Sequence, residues 1–373
     1  MTTIDSYNII DPDSVFSPGL VFFPEIIREN IRQSISLCGG PDRIRPHFKT
    51  HKTAEIARIQ IDAGITRHKC ATIAEAEILA SAGVPDILIA YQMLGPNIRR
   101  IAQLIERFPA VRFATLIDHV DAVDPLAHQM AQSGQTLDVM LDLNTGMDRT
   151  GTPLSSQSIE LYEMISTTPG LRAAGLHWYD GHHHQPDRDE RQQQVLAGWG
   201  QFTSFRDKIV MSGLEVPEIV SSGTGSFDIL AETGEPSLRV SPGTTTLFDA
   251  VSMRDFPELP FRPAAMVLTR VISHPGLNLL TIDLGHKSIS ADKPLKIRAQ
   301  FSALPDARLI MQHEEHGVIE TNQAHKFNLG DHLLAIPGHV CPTVALHQFA
   351  TTIESGKITG HWQIAARNRV VTM

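Results

Sequence analysis

The 373-residue chain holds only three cysteines, Cys38, Cys70 and Cys341, too few for a disulfide framework, so a reducing, cytoplasmic compartment is expected. No apolar run approaches the ~18 residues that a membrane-spanning helix requires. The opening residues, MTTIDSYNIIDPDS, lack a basic stretch followed by an apolar one, so no secretion signal is expected. Excess positive charge is also missing. Lys and Arg number 32 against 41 Asp and Glu, a formal charge of −9 that argues against a nucleic-acid surface. Low-complexity linkers and self-similar repeats are absent as well. What remains is a globular composition, 42% hydrophobic and 20% charged, which excludes a disordered chain. Histidine is the outlier, with 18 copies, many of them clustered, and such clusters bind metals, relay protons or sit in solvated loops.

Short apolar runs alternate with amphipathic stretches through the first two thirds of the chain. The runs are Ile44–Phe48, Arg67–Ala71, Asp86–Tyr91, Val111–Leu116, Leu137–Leu143, Leu171–Trp178, Glu218–Ser221 and Leu238–Val240. Helical patterns such as Thr72–Ala82, Asn97–Phe108, Ser155–Ser166 and Asp189–Met211 lie between them. Buried strands separated by helices imply a parallel sheet, and eight such units suggest a closed (β/α)₈ barrel over residues 15–245. An open doubly wound sheet is the alternative. From about Gly243 the pattern changes to strand-like segments joined by Gly, Pro and Asp turns: Ala265–Ile272, Leu279–Leu284, Ala307–Met311 and His332–Ile336. A β-rich domain is expected over residues 246–373, and whether residues 1–14 join it stays open.

Five clusters could carry chemistry. RPHFKTHK, Arg45 to Lys52, ends the first expected strand, where barrels of this kind place catalytic groups. A lysine there can form a Schiff base if burial or neighbouring cations keep its amine unprotonated, and Arg45, His47 and Lys52 would be those cations. A solvated basic turn explains the same residues. DLNTGMDRTG, Asp142 to Gly151, puts Arg149 near the mouth of the fifth strand, either bonded to an anionic phenolate or paired with Asp142 or Asp148. SSGTGSF, Ser221 to Phe227, follows the seventh strand with small residues that let backbone N–H groups approach a phosphate. GLHWYDGHHHQ, Gly175 to Gln185, offers the Tyr179 phenol, with His177 and His182–His184 at the expected active-site face; three adjacent histidines cannot share one point, so most of them read as loop surface and His182 is taken as the functional imidazole. In PGHVCPT, His339 and Cys341 stand two apart, so an extended segment would turn both to one face, where they suit Zn²⁺ or simply form a buried thiol beside an imidazole. HEEHG, His313 to Gly317, is weaker: His316 lines a cleft or belongs to a solvated turn. Cys38 and Cys70 read as structural thiols.

RPHFKTHK resembles the cofactor-lysine segment of the D-threonine aldolase and D-serine dehydratase family, and the likeness extends from about residue 15 to 350. That family is of the alanine-racemase-like, fold-type III class: a pyridoxal-phosphate (PLP) barrel followed by a β-domain. The resemblance implies that Lys49 carries PLP, Arg149 bonds its phenolate oxygen, and Gly223, Thr224, Gly225 and Ser226 hold its phosphate, with Tyr179 packed on the cofactor. It implies a divalent metal on His339 and Cys341, with Zn²⁺ expected first and Mn²⁺ or Mg²⁺ as alternatives. His316 lies in a string similar to the family's Glu-Glu-His-Gly, and His182 or His316 would be the second base.

The implied function is a lyase acting on D-3-hydroxy amino acids. The His-x-Cys pair is the dehydratase version of the family motif, so β-elimination to a 2-oxo acid and ammonia is expected. The Tyr-Asp-Gly-His string is similar to that of the aldolase members, which cleave to glycine and an aldehyde, so retro-aldol cleavage is the alternative. A racemase or a non-catalytic PLP carrier fits less well. The expected partner is a small D-amino acid, with no nucleic acid or membrane, and the family implies a homodimer.

Overall fold

The structure, a computed structural model, describes residues 7–372. The chain begins with β1 (Gly19–Phe22) and α1 (Pro24–Cys38), followed by α2 (Ala54–Asp62), β2 (Arg67–Cys70) and α3 (Ile73–Ser81). Strand and helix then alternate: β3 (Asp86–Gln92), α4 (Pro96–Arg107), β4 (Arg112–Ile117), α5 (Val123–Gln132), β5 (Leu137–Asp142) and α6 (Ser156–Thr167). The alternation ends with β6 (Leu171–Trp178), α7 (Arg188–Met211), β7 (Ile219–Ser221), α8 (Phe227–Ala231), β8 (Leu238–Val240) and α9 (Ala250–Asp255). Strands dominate the rest: β9 (Ala265–Gly276), β10 (Leu279–Ile282), β11 (Ala299–Phe301), β12 (Arg308–Gln312), β13 (Gly317–Glu320) and β14 (His332–Pro337). A short helix α10 (Val340–Leu346) precedes the hairpin of β15 (Phe349–Glu354) and β16 (Lys357–Gln363). No helix among the described residues is long and apolar enough to cross a membrane.

Two compact units result. One comprises Ser34–Lys49, Ala57–Gly243 and the tail from Asn368; the other comprises the segment up to Gln33, Thr50–Ile56 and Thr244–Arg367.

In the first unit, β2 to β8 form a curled parallel sheet in sequence order. The sheet's two edges meet on residues 44–47: Ile44 bridges to Val240 of β8, and His47 bridges to Lys69 of β2. The Arg45 N–H donates to Val240 O at 2.8 Å, and the Lys69 N–H donates to Pro46 O at 3.0 Å. So the first of the eight expected strands is reduced to two bridges. Pro46 has no N–H, and a ladder cannot run through it. Five neighbouring strands send Leu88, Leu116, Met140, Ala174 and Val220 into one interior cluster. Every residue of β5 is buried, as a parallel sheet covered on both faces requires. Local signals agree with the placement. Thr72 caps α3 by accepting the Glu75 N–H, while the Glu75 carboxylate takes the Ala71 N–H at 2.6 Å, a reciprocal cap directly after β2. Cys38 and Cys70 are buried free thiols, and burial pushes the Cys38 thiol up to about 12, which leaves it inert.

The second unit is a mixed sheet in the order β12-β13-β10-β9-β1-β15-β16, with β14 on β9 and β11 on β14. Residues 19–22 are not part of the parallel sheet, although the sequence reading began the barrel at residue 15. β1 is all apolar after Gly19 and fits a central slot, antiparallel to β9 and parallel to β15. The sequence pattern missed β11, β13, β15 and β16; β11 and β13 are short, and β16 alternates between exposed and half-buried residues. A cluster of buried side chains in this unit, among them Val267, Leu280, Ile282, Phe301 and Ile319, forms a core of its own.

Arg45 defines the N-terminal end of the parallel sheet. Its guanidinium is buried and donates to Asp86 Oδ1 and Glu218 Oε1, both at 2.9 Å. Arg112 donates to Asp86 at 2.8 Å and to Asp138 at 2.6 Å, which extends the network across four strands. Burial works against the Asp86 charge, yet Arg45 and Arg112 hold its carboxyl below the usual range. Removing one partner of such a network strands the others in a dry site. Arg45→Ala is therefore expected to lower unfolding free energy by about 3 kcal/mol, measured by urea denaturation at neutral pH. An unchanged midpoint would mean that the network contributes nothing to sheet closure.

Candidate active site

A cavity of about 520 Å³ opens at the C-terminal ends of the parallel strands. Its walls come from the ends of successive strands: His47 and Lys49, Lys69 and Ala71, Tyr91 and Gln92, Asp118, Asp142, then His177 and Tyr179, with Arg149 and Thr150 from the loop after β5. A parallel strand followed by a helix leaves its C-terminal residues facing this end, which is why so many chemical groups converge from distant positions.

Three cations surround one ring. The Lys49 Nζ lies 5.7 Å from the centroid of Tyr179, the Lys69 Nζ 5.5 Å, and the Arg149 guanidinium carbon 4.6 Å. Lys49 sits in a single 3₁₀ turn, Phe48–Thr50, immediately after the segment that closes the sheet. Lys69 was not singled out from the sequence. The available signal was a lysine inside a short strand whose other residues are mostly buried. Burial first, and then the Lys49, Arg149 and Arg45 charges, pull its amine well below the ordinary lysine range against the pull of Asp142.

Below these cations, His177 Nδ1 and Asp142 Oδ1 are 2.6 Å apart, on adjacent strands β6 and β5. Burial raises the Asp142 carboxyl, but His177 and Thr150 carry it below its ordinary value. Burial depresses His177, and Lys69 and Arg149 add to that against Asp142. The pair is thus a carboxylate accepting a hydrogen bond from a neutral imidazole, which fixes the tautomer. The His177 Nε2 is then a buried lone pair with no hydrogen-bond partner in the protein.

The small-residue loop lies against the same aromatic ring. A side chain at Gly223 would come within 2.9 Å of the Gly181 Cα and 3.7 Å of the Tyr179 ring. One at Gly181 would collide with the Tyr179 hydroxyl. Two donors of the loop are already used. The Gly223 N–H donates to Asp180 Oδ1 at 3.0 Å, and the Ser226 hydroxyl donates to the same oxygen at 2.6 Å. Burial raises the Asp180 carboxyl pKa. Gly225 turns its carbonyl to the buried Arg191, whose Nε donates at 2.9 Å, and Thr224 completes the turn between them.

Other expected groups stand elsewhere. Arg45 turns to the opposite end of the sheet. Lys52 adopts a positive φ of 57° and directs its Nζ to the Ala366 carbonyl at 3.4 Å. Lys52, three residues after Lys49, is thus led out of the cavity by the turn at its own backbone. His182 is exposed and packs on His183, 4.2 Å between ring centroids, and does not line the cavity. His316 is exposed in the turn before β13, where its carbonyl accepts the His313 N–H at 2.8 Å.

His339 and Cys341 do meet, but not on an extended strand. His339 is the N-cap of α10, with φ −139° and ψ 106°, and Cys341 lies in the first turn. Extended backbone at the cap followed by a helical turn still brings the two side chains into hydrogen-bond contact. The His339 Nδ1 is 2.6 Å from Asp292 Oδ2, and the Cys341 thiol donates to Thr50 Oγ1 at 3.2 Å. Burial lowers the imidazole pKa, but the thiol and Asp292 together carry it up to about 9. Asp292 was missed because nothing in SADKP marks it. A carboxylate behind a histidine is the usual support of a metal-bound imidazole. Among the described residues no group of three or more His, Cys, Asp or Glu forms a metal cage, so this pair would leave coordination positions open.

The cavity's donors suit PLP. They offer an amine for its carbonyl carbon and a guanidinium for its phenolate. The orphaned Nε2 of His177 provides a lone pair beside them, and the small-residue loop at Gly223 packs against the Tyr179 ring that lines the cavity. Comparison with known proteins agrees. Residues 24–249 match the family "Alanine racemase, N-terminal domain", and residues 264–353 match "Putative serine dehydratase domain". The D-threonine aldolase of Arthrobacter sp. is 28% identical over 360 residues, covering 95% of this chain and 93% of the relative. The D-threo-3-hydroxyaspartate dehydratase of Delftia sp. (strain HT23) is 27% identical, covering 81% and 84%. The crystal structure of D-threonine aldolase from Filomicrobium marinum superposes with a TM-score of 0.89 at 27% identity, covering 95% of this chain and 96% of that one. The chain therefore belongs to the alanine racemase N-terminal domain family and is a PLP-dependent lyase of the kind that joins this domain to a serine dehydratase domain.

Proposed function

We propose that the enzyme removes the 3-hydroxyl group of a D-3-hydroxy amino acid, yielding a 2-oxo acid and ammonia. The observation that carries this reading is the convergence of Lys49, Arg149, Tyr179 and the His177–Asp142 pair on one cavity. Lys49 would hold the cofactor, Arg149 its phenolate oxygen, and the Gly223–Ser226 loop its phosphate. When bound, PLP would supply an electron sink for the pair left at Cα. The Lys49 Nζ is then the group to take the Cα proton, and Arg149 keeps positive charge at the ring oxygen. Thr150 and His177 hold Asp142 ionised, so the cavity keeps a carboxylate among its basic side chains. A divalent metal on His339 and Cys341 would supply Lewis acidity toward the substrate hydroxyl. The thiol in that pair supports elimination, because the dehydratase version of the motif carries cysteine there.

Retro-aldol cleavage is the second reading. The aldolase likeness supports it, at 28% identity over 95% of the chain. That reaction needs a base for the hydroxyl proton, and the exposure of His182 and His316 lends neither of them support in that role.

Purified enzyme should be yellow, and borohydride should abolish the visible band and fix the cofactor on Lys49. Peptide mapping that finds the label on Lys52 or Lys69 would overturn the assignment. Chelation should stop turnover while leaving the visible band intact. Cys341→Ala with full activity and full metal content would refute the metal pair, whereas Cys341→Asp should keep metal. Incubation with D-serine and with D-threonine, quantifying 2-oxo acid, glycine and aldehyde, separates the two reactions. Stoichiometric glycine and acetaldehyde without 2-oxobutanoate would replace the elimination by the cleavage.

A further inference from the structure

Lys69 is the third residue of β2, only 1% exposed, and it lines the same cavity as Lys49. Among the described residues its Nζ makes no hydrogen bond or ion pair. Its charged neighbours are mostly of its own sign: Lys49, Arg149 and Arg45. Asp142, the carboxylate that favours its charge, is shared with His177 and Thr150. Tyr179 offers Lys69 a ring face at 5.5 Å, but Lys49 and Arg149 use the same ring. A nearly buried ammonium with no acceptor in the described protein, beside Lys49 and Arg149, is the costly form, and burial and those charges favour the neutral amine. The side chain lines the cavity read above as the PLP site.

An amino acid arrives with its α-nitrogen protonated, and an ammonium has no lone pair with which to bond to carbon. We propose that Lys69 takes the proton from the ammonium group of the incoming amino acid. This rests on the reading of the cavity as a PLP site. One N–H bond of the substrate breaks and one forms on Nζ, and the electron pair stays on the substrate nitrogen. The proton leaves with the product nitrogen, as ammonium after elimination or on glycine after cleavage, so Lys69 returns to its neutral form in either reaction. Arginine at this position would carry a fixed charge and could not accept a proton.

D-alanine, which has no hydroxyl to lose, reports binding without turnover through the change in the visible band. Transfer of a proton from ligand to Lys69 releases none to solvent, so the apparent Kd of the wild type should be nearly flat between pH 7 and 8. In Lys69→Met and Lys69→Arg that acceptor is gone; with the freed Lys49 amine kept neutral as the base for Cα, the proton goes to water, and the apparent Kd should fall about tenfold per pH unit. Calorimetry of D-alanine binding in two buffers of different ionisation enthalpy should find no proton released by the wild type and one by each variant. A wild type that releases one proton, or variants as flat as the wild type, would overturn the role of Lys69. A merely structural or charge-balancing lysine would change affinity but not this slope, and arginine would restore it. A wild type with no visible band, or with no borohydride label on Lys49, would instead refute the cofactor reading itself.

Discussion

The closure of the parallel sheet by residues 44–47 sets the geometry of the site. One short segment bridges β8 on one side and β2 on the other, and two of its neighbours act at opposite ends of the strands. Arg45 ties Asp86 and Glu218 at the N-terminal end. Four residues later Lys49 emerges into the cavity at the C-terminal end. The same bridge fixes Lys69 beside Lys49, because His47 and Lys69 are direct neighbours across the closure. A slip of one residue in this register would turn the side chains of the slipped strand to the other face of the sheet.

Charge is what the cavity is built to manage. Lys49, Lys69 and Arg149 crowd one phenol ring in a cavity that also holds the Asp142 carboxylate. Without an anionic occupant that arrangement is self-repelling, and it is relieved by holding one amine neutral. With a dianionic phosphate and a phenolate in place, the same charges become complementary. Strain of this kind is tolerated where a ligand removes it, and the sheet beneath is stable enough to bear it.

The His339–Cys341 pair follows a different logic. It stands at the start of a short helix, with Asp292 behind the imidazole and Thr50 accepting from the thiol. Imidazole, thiol and carboxylate together form a set of soft and hard donors of the kind that suits a borderline divalent cation. The thiol distinguishes this donor set from an all-oxygen-and-nitrogen one.

Much of this was legible in the amino-acid order. Each of the eight apolar runs either became a strand or, at 44–48, supplied the closing segment, because burial on both faces needs a continuous apolar stretch whatever its neighbours. The motifs around Lys49, Arg149, Gly223 and His339 were readable because a cofactor lysine, an anion-binding arginine, a small-residue loop and a donor pair each need a local spacing. What the sequence could not supply was which groups share a cavity. Lys69, Asp142 and His177 are far apart in sequence and meet only because β2, β5 and β6 end at one face. Arg45 and Lys52, adjacent to Lys49 in sequence, are directed elsewhere by the bridge at residues 44–47 and by a positive φ at Lys52. Local spacing is written in the chain, but electrostatic company is decided by strand order, and that company sets the protonation state of Lys69.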